Sequence, residues 1–381
     1  MARREEELRL LPLLPGRAHP SHKHLEGPKD AGTIRASRDG RTHIIEPMRI
    51  LITGGAGFIG SHLAERHLER GDQVTILDDL STGRLENLKK VAGHPHLKVQ
   101  IGSVMDEQVT AAQVRECDLV YHLAAAVGVK LVIDDPISTL ERNICGTMSV
   151  LRAAAAFHKP ILVTSTSEVY GKQSKVPFGE DDDLVLGPTS KPRWSYACSK
   201  AIDEFLTLAY CRQQGLEGVV VRLFNTIGPR QRGDYGMVTP NLVRQALAAQ
   251  PLVVFGTGQQ RRCFLHVADA VDALTALAVE PRAYGQVVNV GGTEEVTILD
   301  LAHRIKAMTG ALSPVCTLPY EKAYAPGFED MDRRVPDCRR VAELVGFAPK
   351  FNLDSILRSV IEHERCDLQN GASMSEVTER R

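Results

Sequence analysis

The stretch Met48-Arg49-Ile50-Leu51-Ile52-Thr53-Gly54-Gly55-Ala56-Gly57-Phe58-Ile59-Gly60 decides the fold. Arg49–Thr53 is a short run rich in branched apolar residues, which predicts a strand. Glycines at 54, 57 and 60 then permit a tight turn, close approach of backbone to a ligand, and close packing of a helix on the strand. Phe58–Glu69 has helical spacing through Ile59, Leu63 and Leu68. Glycine-rich loops are common, but this one follows a strand and opens a helix. A second apolar run, Val74–Leu77, ends in Asp78-Asp79, roughly 20 residues further on, as a dinucleotide-binding turn requires. Pyrophosphate would sit at the positive end of the helix that starts near Phe58. A carboxylate at Asp78 accepts ribose hydroxyls and repels a 2′-phosphate, so NAD is expected over NADP. Arg84, in the loop that follows, runs against that preference.

Outward from this unit the chain alternates. Leu97–Ile101, Leu119–Leu123, Ile161–Ser165 and Gly218–Phe224 read as strands, and Asn143–Phe157 and Ser195–Gln213 as helices. The rhythm predicts an α/β fold, a Rossmann-type doubly wound parallel sheet. After Asn225 it loosens. Pro229–Tyr235 is basic and loop-like; Val238–Ala249, Leu299–Thr309 and Leu353–Glu364 read as helices, Leu252–Phe255 and Val287–Val290 as strands. The expected organisation is a disordered extension over 1–47, an NAD-binding domain over 48–230, a smaller, mainly substrate-binding lobe over 231–365, and a disordered tail over 366–381. Some elements of the lobe, Val287–Val290 in particular, are candidates to return to the sheet.

Composition bounds the function. The 381 residues are 43% hydrophobic and 24% charged, ordinary for a soluble globular protein. A net charge of -1 gives no field that favours nucleic acid or an anionic membrane, so an anionic ligand must be held by local groups. No apolar run approaches the roughly 20 residues of a membrane span. The eight cysteines are scattered without a C-x-x-C pair, so no metal site is expected. Most lie in apolar stretches and are expected to be buried, reduced thiols of a cytoplasmic protein. In the N-terminal extension, Leu8–Leu14 is broken by Arg9 and Pro12 and is too short for a signal peptide. An alternative is that the chain starts naturally at Met48.

Two segments carry chemistry. In Trp194-Ser195-Tyr196-Ala197-Cys198-Ser199-Lys200, Tyr196 and Lys200 share one helical face. A nearby ammonium favours the phenolate, which suits tyrosine to act as a base. The strand Ile161–Ser165 runs into Thr166-Ser167-Glu168-Val169-Tyr170-Gly171. In an open parallel sheet the reaction site lies at the carboxyl ends of strands, so Thr166 and Glu168 should project toward the cofactor.

Together these residues resemble the extended short-chain dehydrogenase/reductase family, in its nucleotide-sugar branch. The resemblance spans roughly Met48–Glu364. It rests on Thr53-Gly54-x-x-Gly57-x-x-Gly60, Asp78, His122-Leu123-Ala124-Ala125, Asn143, Thr166, Tyr196-x-x-x-Lys200, Asn225, and Arg262 with Phe264-Leu265-His266-Val267. It implies NAD held by Gly54, Gly57, Phe58, Ile59, Gly60, Asp78, Ala124, Tyr196 and Lys200. Val104 stands in for an adenine contact, because Ser103 occupies the position of the usual aspartate. It further implies that Thr166 binds a sugar 4-hydroxyl, that Tyr196 takes its proton, and that Lys200 binds the nicotinamide ribose and lowers the tyrosine pKa. Ser167, Asn225, Arg230, Arg262 and Arg334 are the implied substrate contacts.

Oxidation at C4 opens several routes. Thr166-Ser167-Glu168 has Ser167 where the resembling dehydratases carry an aspartic acid as proton donor, which disfavours dehydration. Thr-Ser-Glu-Val-Tyr-Gly, Lys191-Pro192-Arg193-Trp194 and Arg262-Cys263-Phe264 resemble UDP-glucuronate decarboxylases, which implies Glu168 and Arg262 acting at the carboxylate and C5, with the diphosphate an equal alternative for Arg262, as in the resembling epimerases. The expected product is UDP-xylose or its 4-keto form. Ala197-Cys198-Ser199 and Met237 depart from the decarboxylase pattern, so a nucleotide-sugar 4-epimerase acting on UDP-glucuronate or UDP-glucose stays open. A non-catalytic NAD-binding module is disfavoured by Thr166, Tyr196 and Lys200. The resemblance also implies a homodimer formed through Asn143–Phe157 and Ser195–Gln213.

Overall fold

The computed structural model describes residues 33–36, 42–128, 135–233, 237–323 and 329–378. The chain divides into two units, 1–45 and 46–381. In the first, the described residues form an antiparallel pair, Thr33–Ala36 with Thr42–Ile45. This departs from the expectation of disorder over 1–47: β-branched Thr33, Ile34, Thr42, Ile44 and Ile45 suit a pleated ribbon. Residues 1–32 and 37–41 lie outside the described residues.

The second unit is built on seven parallel strands: β1 Arg49–Thr53, β2 Gln73–Asp78, β3 Leu97–Ile101, β4 Leu119–His122, β5 Ile161–Thr166, β6 Gly218–Leu223 and β7 Val287–Val290. Their order is β7-β6-β5-β4-β1-β2-β3. The order reverses between β1 and β4, and ligands bind at such a switch point. Val287–Val290 does return to the main sheet, beside β6.

Strand periodicity sorts the core into two faces. Ile50 and Ile52 pack with helices α1 (Phe58–Glu69) and α6 (Val267–Leu277). Leu51, between them, packs on the opposite face with α2 (Glu107–Glu116) and α3 (Pro136–Ala156), beside α4 (Ser195–Gln214). Residues two apart share a sheet face, so one five-residue strand serves both layers.

A smaller cluster joins α5 (Val238–Leu247), α7 (Ile298–Thr309) and α8 (Leu353–Thr378) with the parallel pair Leu252–Phe255 and Val315–Leu318. A three-stranded sheet of Glu295–Thr297, Arg261–Cys263 and Arg333–Arg334 sets Arg262 and Arg334 in register. That pairing carries the site described below.

Several boundaries differ from the sequence reading. Helix α3 starts at Pro136, not Asn143, because Asp135 caps it by accepting from Ser138 N and proline suits the first turn. Helices α2 and α6 are additional to the sequence reading; α6 is mostly apolar and packed in the core, with Asp269 and Asp272 on one side. Helix α8 passes Arg365, where a frayed tail was expected, since Cys366–Thr378 has one glycine, no proline and several good helix formers. The cysteines are free, but four of the eight, Cys145, Cys198, Cys316 and Cys366, are exposed rather than buried. Cys145 and Cys198 sit on outward positions of α3 and α4, which an apolar neighbourhood in sequence does not reveal. No described helix is long and apolar enough to cross a membrane.

Candidate functional site

A cavity of about 390 Å³ opens at the carboxyl ends of β1, β4, β5 and β6. Gly54, Gly57, Phe58, Ile59, Gly60, Asp78, Val104 and Ala124 line one end; Thr166, Ser167, Glu168, Tyr196, Lys200, Asn225, Arg230 and Arg334 line the other. Of the implied catalytic, cofactor and substrate contacts, Arg262 alone is absent from the wall. Its guanidinium is buried, donating to Asp330 Oδ2 at 3.1 Å. Arg84 is absent from the wall too, and Arg142 lines it instead, 3.7 Å from Asp79.

The turn after β1 is shaped for phosphate. Gly54 has φ +71°, and a Cβ there would stand 2.7 Å from Ala124 N. A Cβ on Gly60 would collide with the Gly54 carbonyl oxygen. Gly57 heads α1 without a side-chain cap, and no acidic residue lies in the first turn, so the leading amides of α1 are left for a ligand. Asp78 closes β2 with both oxygens bonded: Oδ2 accepts from Ala56 N at 2.9 Å and Oδ1 from Leu80 N at 2.8 Å. Burial raises its carboxyl, and those two amides oppose the rise. The uncapped helix and the side-chain-free cradle fit a dinucleotide pyrophosphate, with Asp78 at the ribose.

At the other end, Thr166 Oγ1 accepts from Glu168 N at 3.3 Å and lies beside the Tyr196 hydroxyl. Burial raises the Tyr196 phenol, the Glu168 charge adds to the rise, and the Thr166 hydroxyl opposes it. Lys200 Nζ is bound to Asp203 Oδ2 at 2.6 Å, and the Asp203 charge works to raise Tyr196. Below it, His122 Nδ1 is 2.8 Å from Thr53 Oγ1 and Nε2 is 3.0 Å from Thr147 Oγ1. Burial, helped by the Lys200 charge, pushes this imidazole down to about 3, so it is neutral. Asn143 ties the loop after β4 to α4, accepting from Ala126 N at 2.8 Å and donating to Ser199 Oγ at 3.1 Å.

Charge is concentrated around Glu168. Arg193 Nη1 donates to Glu168 Oε2 at 2.5 Å and Arg334 Nη1 to Oε1 at 3.3 Å. Asp330 lies 3.1 Å from Arg262, 3.6 Å from Arg334 and 3.8 Å from Arg193. Among the described residues, three guanidiniums thus face two carboxylates. Burial would raise the Glu168 carboxyl, but Arg193 and Arg334 outweigh it and hold it at about 2. Burial and the neighbouring Arg334 lower Arg262 to about 10. Arg334 Nε is buried and makes no hydrogen bond among the described residues. Two other implied substrate contacts are engaged within the protein. Arg230 donates to Glu65 Oε1 at 2.5 Å and Ser61 Oγ at 3.1 Å, and Asn225, at φ +27°, donates to the Cys263 carbonyl at 3.0 Å.

Residues 50–291 match the model of the NAD dependent epimerase/dehydratase family. The chain belongs to that family. It is 41% identical over 316 residues to the UDP-N-acetyl-alpha-D-glucosaminuronate decarboxylase of Bacillus cytotoxicus, covering 82% of this chain and 97% of that protein. It is 35% identical over 325 residues to UDP-glucuronic acid decarboxylase 1 of Danio rerio, covering 85% of this chain and 74% of that one. Among solved structures, UDP-glucose 4-epimerase of Thermotoga maritima with UDP-glucose superposes with a TM-score of 0.75 at 29% identity. That match covers 84% of this chain and all (100%) of the other.

In this epimerase/dehydratase chain, three residues at the site were not singled out as site residues from sequence. Arg193 stands three residues before Tyr196, and the short helix Pro192–Trp194 runs into α4, so the two lie about one turn apart. That spacing was a usable signal. Asp330 offered none, because its role depends on the pairing of Arg262 with Arg334 across strands distant in sequence. Asp203 follows Lys200 by three residues and was readable only as an ordinary helical ion pair.

Proposed function

We propose that this chain is an NAD-dependent decarboxylase of a UDP-linked uronate, with UDP-glucuronate as substrate. The observation that carries this reading is the guanidinium cluster beside Thr166 and Tyr196. The ring of a neutral hexose brings no anion of its own to three guanidiniums beside Thr166 and Tyr196, whereas a uronate carboxylate does. The two decarboxylase relatives support the same reading.

The chemistry follows from the positions. The Thr166 hydroxyl holds the sugar 4-hydroxyl and Tyr196 accepts its proton. NAD, when bound in the glycine cradle, supplies the hydride acceptor for C4. Lys200 holds the nicotinamide ribose and supplies positive charge near Tyr196. The resulting 4-ketone lies β to the C5 carboxylate, so carbon dioxide leaves with its bonding electrons drawn into the ketone. Glu168, held ionised by Arg193 and Arg334, is not a proton donor; it keeps those guanidiniums aimed at the carboxylate subsite. Ser167, where a dehydratase needs an acid, cannot protonate a leaving hydroxyl. Arg230, on the cavity wall and paired with Glu65, would serve the diphosphate.

The relative at 41% identity favours a second substrate within the same chemistry, a uronate with an N-acetyl group at C2. Parallel incubation with UDP-glucuronate and UDP-N-acetylglucosaminuronate, followed by product mass, tests both. Loss of carbon dioxide from either one supports a uronate decarboxylase. Mass-neutral conversion to a 4-epimer overturns it.

We further infer a cytoplasmic homodimer paired through α3 and α4. Support comes from Ile137 and Phe205, large apolar residues that stay 70% and 66% exposed on those helices. A monomer in light scattering would contradict the dimer.

A further inference from the structure

Lys200 and Asp203 form an ion pair cut off from solvent, with the ammonium 2% and the aspartate 0% exposed. A carboxylate in such a place costs more than it returns unless something uses it. Every neighbouring charged group already has a partner. Glu204 is bound by Arg222 at 2.7 Å and by Ser165 at 2.5 Å. His122 is held between Thr53 and Thr147, and Glu168 between two arginines. Asp203 is left to serve Lys200 through Oδ2, while its buried Oδ1 makes no hydrogen bond among the described residues.

An ammonium has three donors. With one committed to Asp203 the others remain for the cavity, whose wall includes Lys200. We propose that Asp203 is the positioning counter-ion of Lys200, fixing the ammonium against the cavity and setting the pH range in which Tyr196 and Lys200 act together. The inference rests on the reading of Tyr196 as the base for C4 oxidation, but not on the fate of the 4-keto sugar.

The negative charge of Asp203 holds back ionisation of Tyr196, which lies one helical turn before Lys200. Replacing it by asparagine keeps the shape and an acceptor oxygen but removes the charge. Tyr196 should then ionise at lower pH.

The experiment uses the NAD-loaded full chain with Asp203→Asn, Asp203→Glu and the wild type. The kcat profile of substrate oxidation is followed alongside the ultraviolet difference signal of tyrosinate, taken against Tyr196→Phe in each background. The acid limb of the Asp203→Asn profile should move to lower pH by about one unit, the tyrosinate midpoint should move with it, and Asp203→Glu should restore both. A lower kcat with an unmoved profile and midpoint overturns the proposal and leaves Asp203 structural, as does a shift to higher pH. The tyrosinate signal needs no substrate, so it tests Asp203 even if no sugar nucleotide is turned over. Failure of the functional reading shows separately, as absent hydride transfer from any uronate in a wild type whose tyrosinate titrates as expected. If Asp203→Asn fails to fold, Asp203→Glu carries the test: the proposal requires a near-native midpoint, and a midpoint displaced as far as one unit contradicts it.

Discussion

Arg193 Nη1 lies 2.5 Å from Glu168 Oε2, although the two residues come from different elements, one entering α4 and one leaving β5. The contact puts a guanidinium at the end of the cavity that holds Thr166 and Tyr196. Removing one partner of a buried pair strands the other charge, which costs about 3–5 kcal/mol. Arg193→Met should therefore lower kcat/KM on a uronate by about 100-fold or more, while NAD affinity stays within about threefold. Steady-state kinetics paired with NAD titration by tryptophan quenching separates the two, and an equal loss in both would show that the cluster is only structural.

Gly54 tests the cofactor end. Its φ of +71° is costly for any side chain, and a Cβ would press on Ala124 N at 2.7 Å. Gly54→Ala should weaken NAD binding at least tenfold and lower the melting temperature, with strain of about 1–2 kcal/mol. Calorimetric titration against a thermal melt reads both effects.

Asp78→Asn keeps the shape of the residue that receives Ala56 N and Leu80 N but removes its charge. It should reduce the preference for NAD over NADP by about tenfold, since one repelled 2′-phosphate corresponds to about 1–2 kcal/mol at a partly buried site. Comparing dissociation constants for the two dinucleotides checks it. A wild type that already prefers NADP would remove the role given to Asp78.

His122 gives a pH prediction for stability. Its folded pKa is depressed to about 3 from 6.5. The unfolded chain binds a proton below about pH 6.5 while the folded chain does not, so this stability is fully present above that pH and is lost as pH falls toward 3. The slope is at most about 1.4 kcal/mol per pH unit. His122→Gln should flatten the dependence between about pH 6.5 and about pH 4.5, read from urea unfolding midpoints, while costing about 1–3 kcal/mol at neutral pH through its altered bonds to Thr53 and Thr147.

Much of this site was legible in the order of residues. The glycine turn, Asp78, Thr166, Tyr196 and Lys200 sit within short segments whose spacing is set by one turn or one helix, and local geometry carries them to the cavity wall. Arg262 and Arg334 were legible as types but not as an arrangement. Their register across two strands decides that Arg262 stands behind Arg334 instead of on the wall, and register between distant segments has no local signature. Asp330 was invisible for the same reason. Helix α6 is short and mostly apolar, so its Asp269–Asp272 side is a weak signal, and Cys198 was misjudged because the face it takes on α4 is fixed by what α4 packs against.

The account stands most directly on the carbon dioxide released per UDP-glucuronate consumed by the NAD-loaded enzyme, wild type against Tyr196→Phe. One equivalent from the wild type and none above background from Tyr196→Phe is the predicted result. Conversion without carbon dioxide, or release undiminished by Tyr196→Phe, would contradict it.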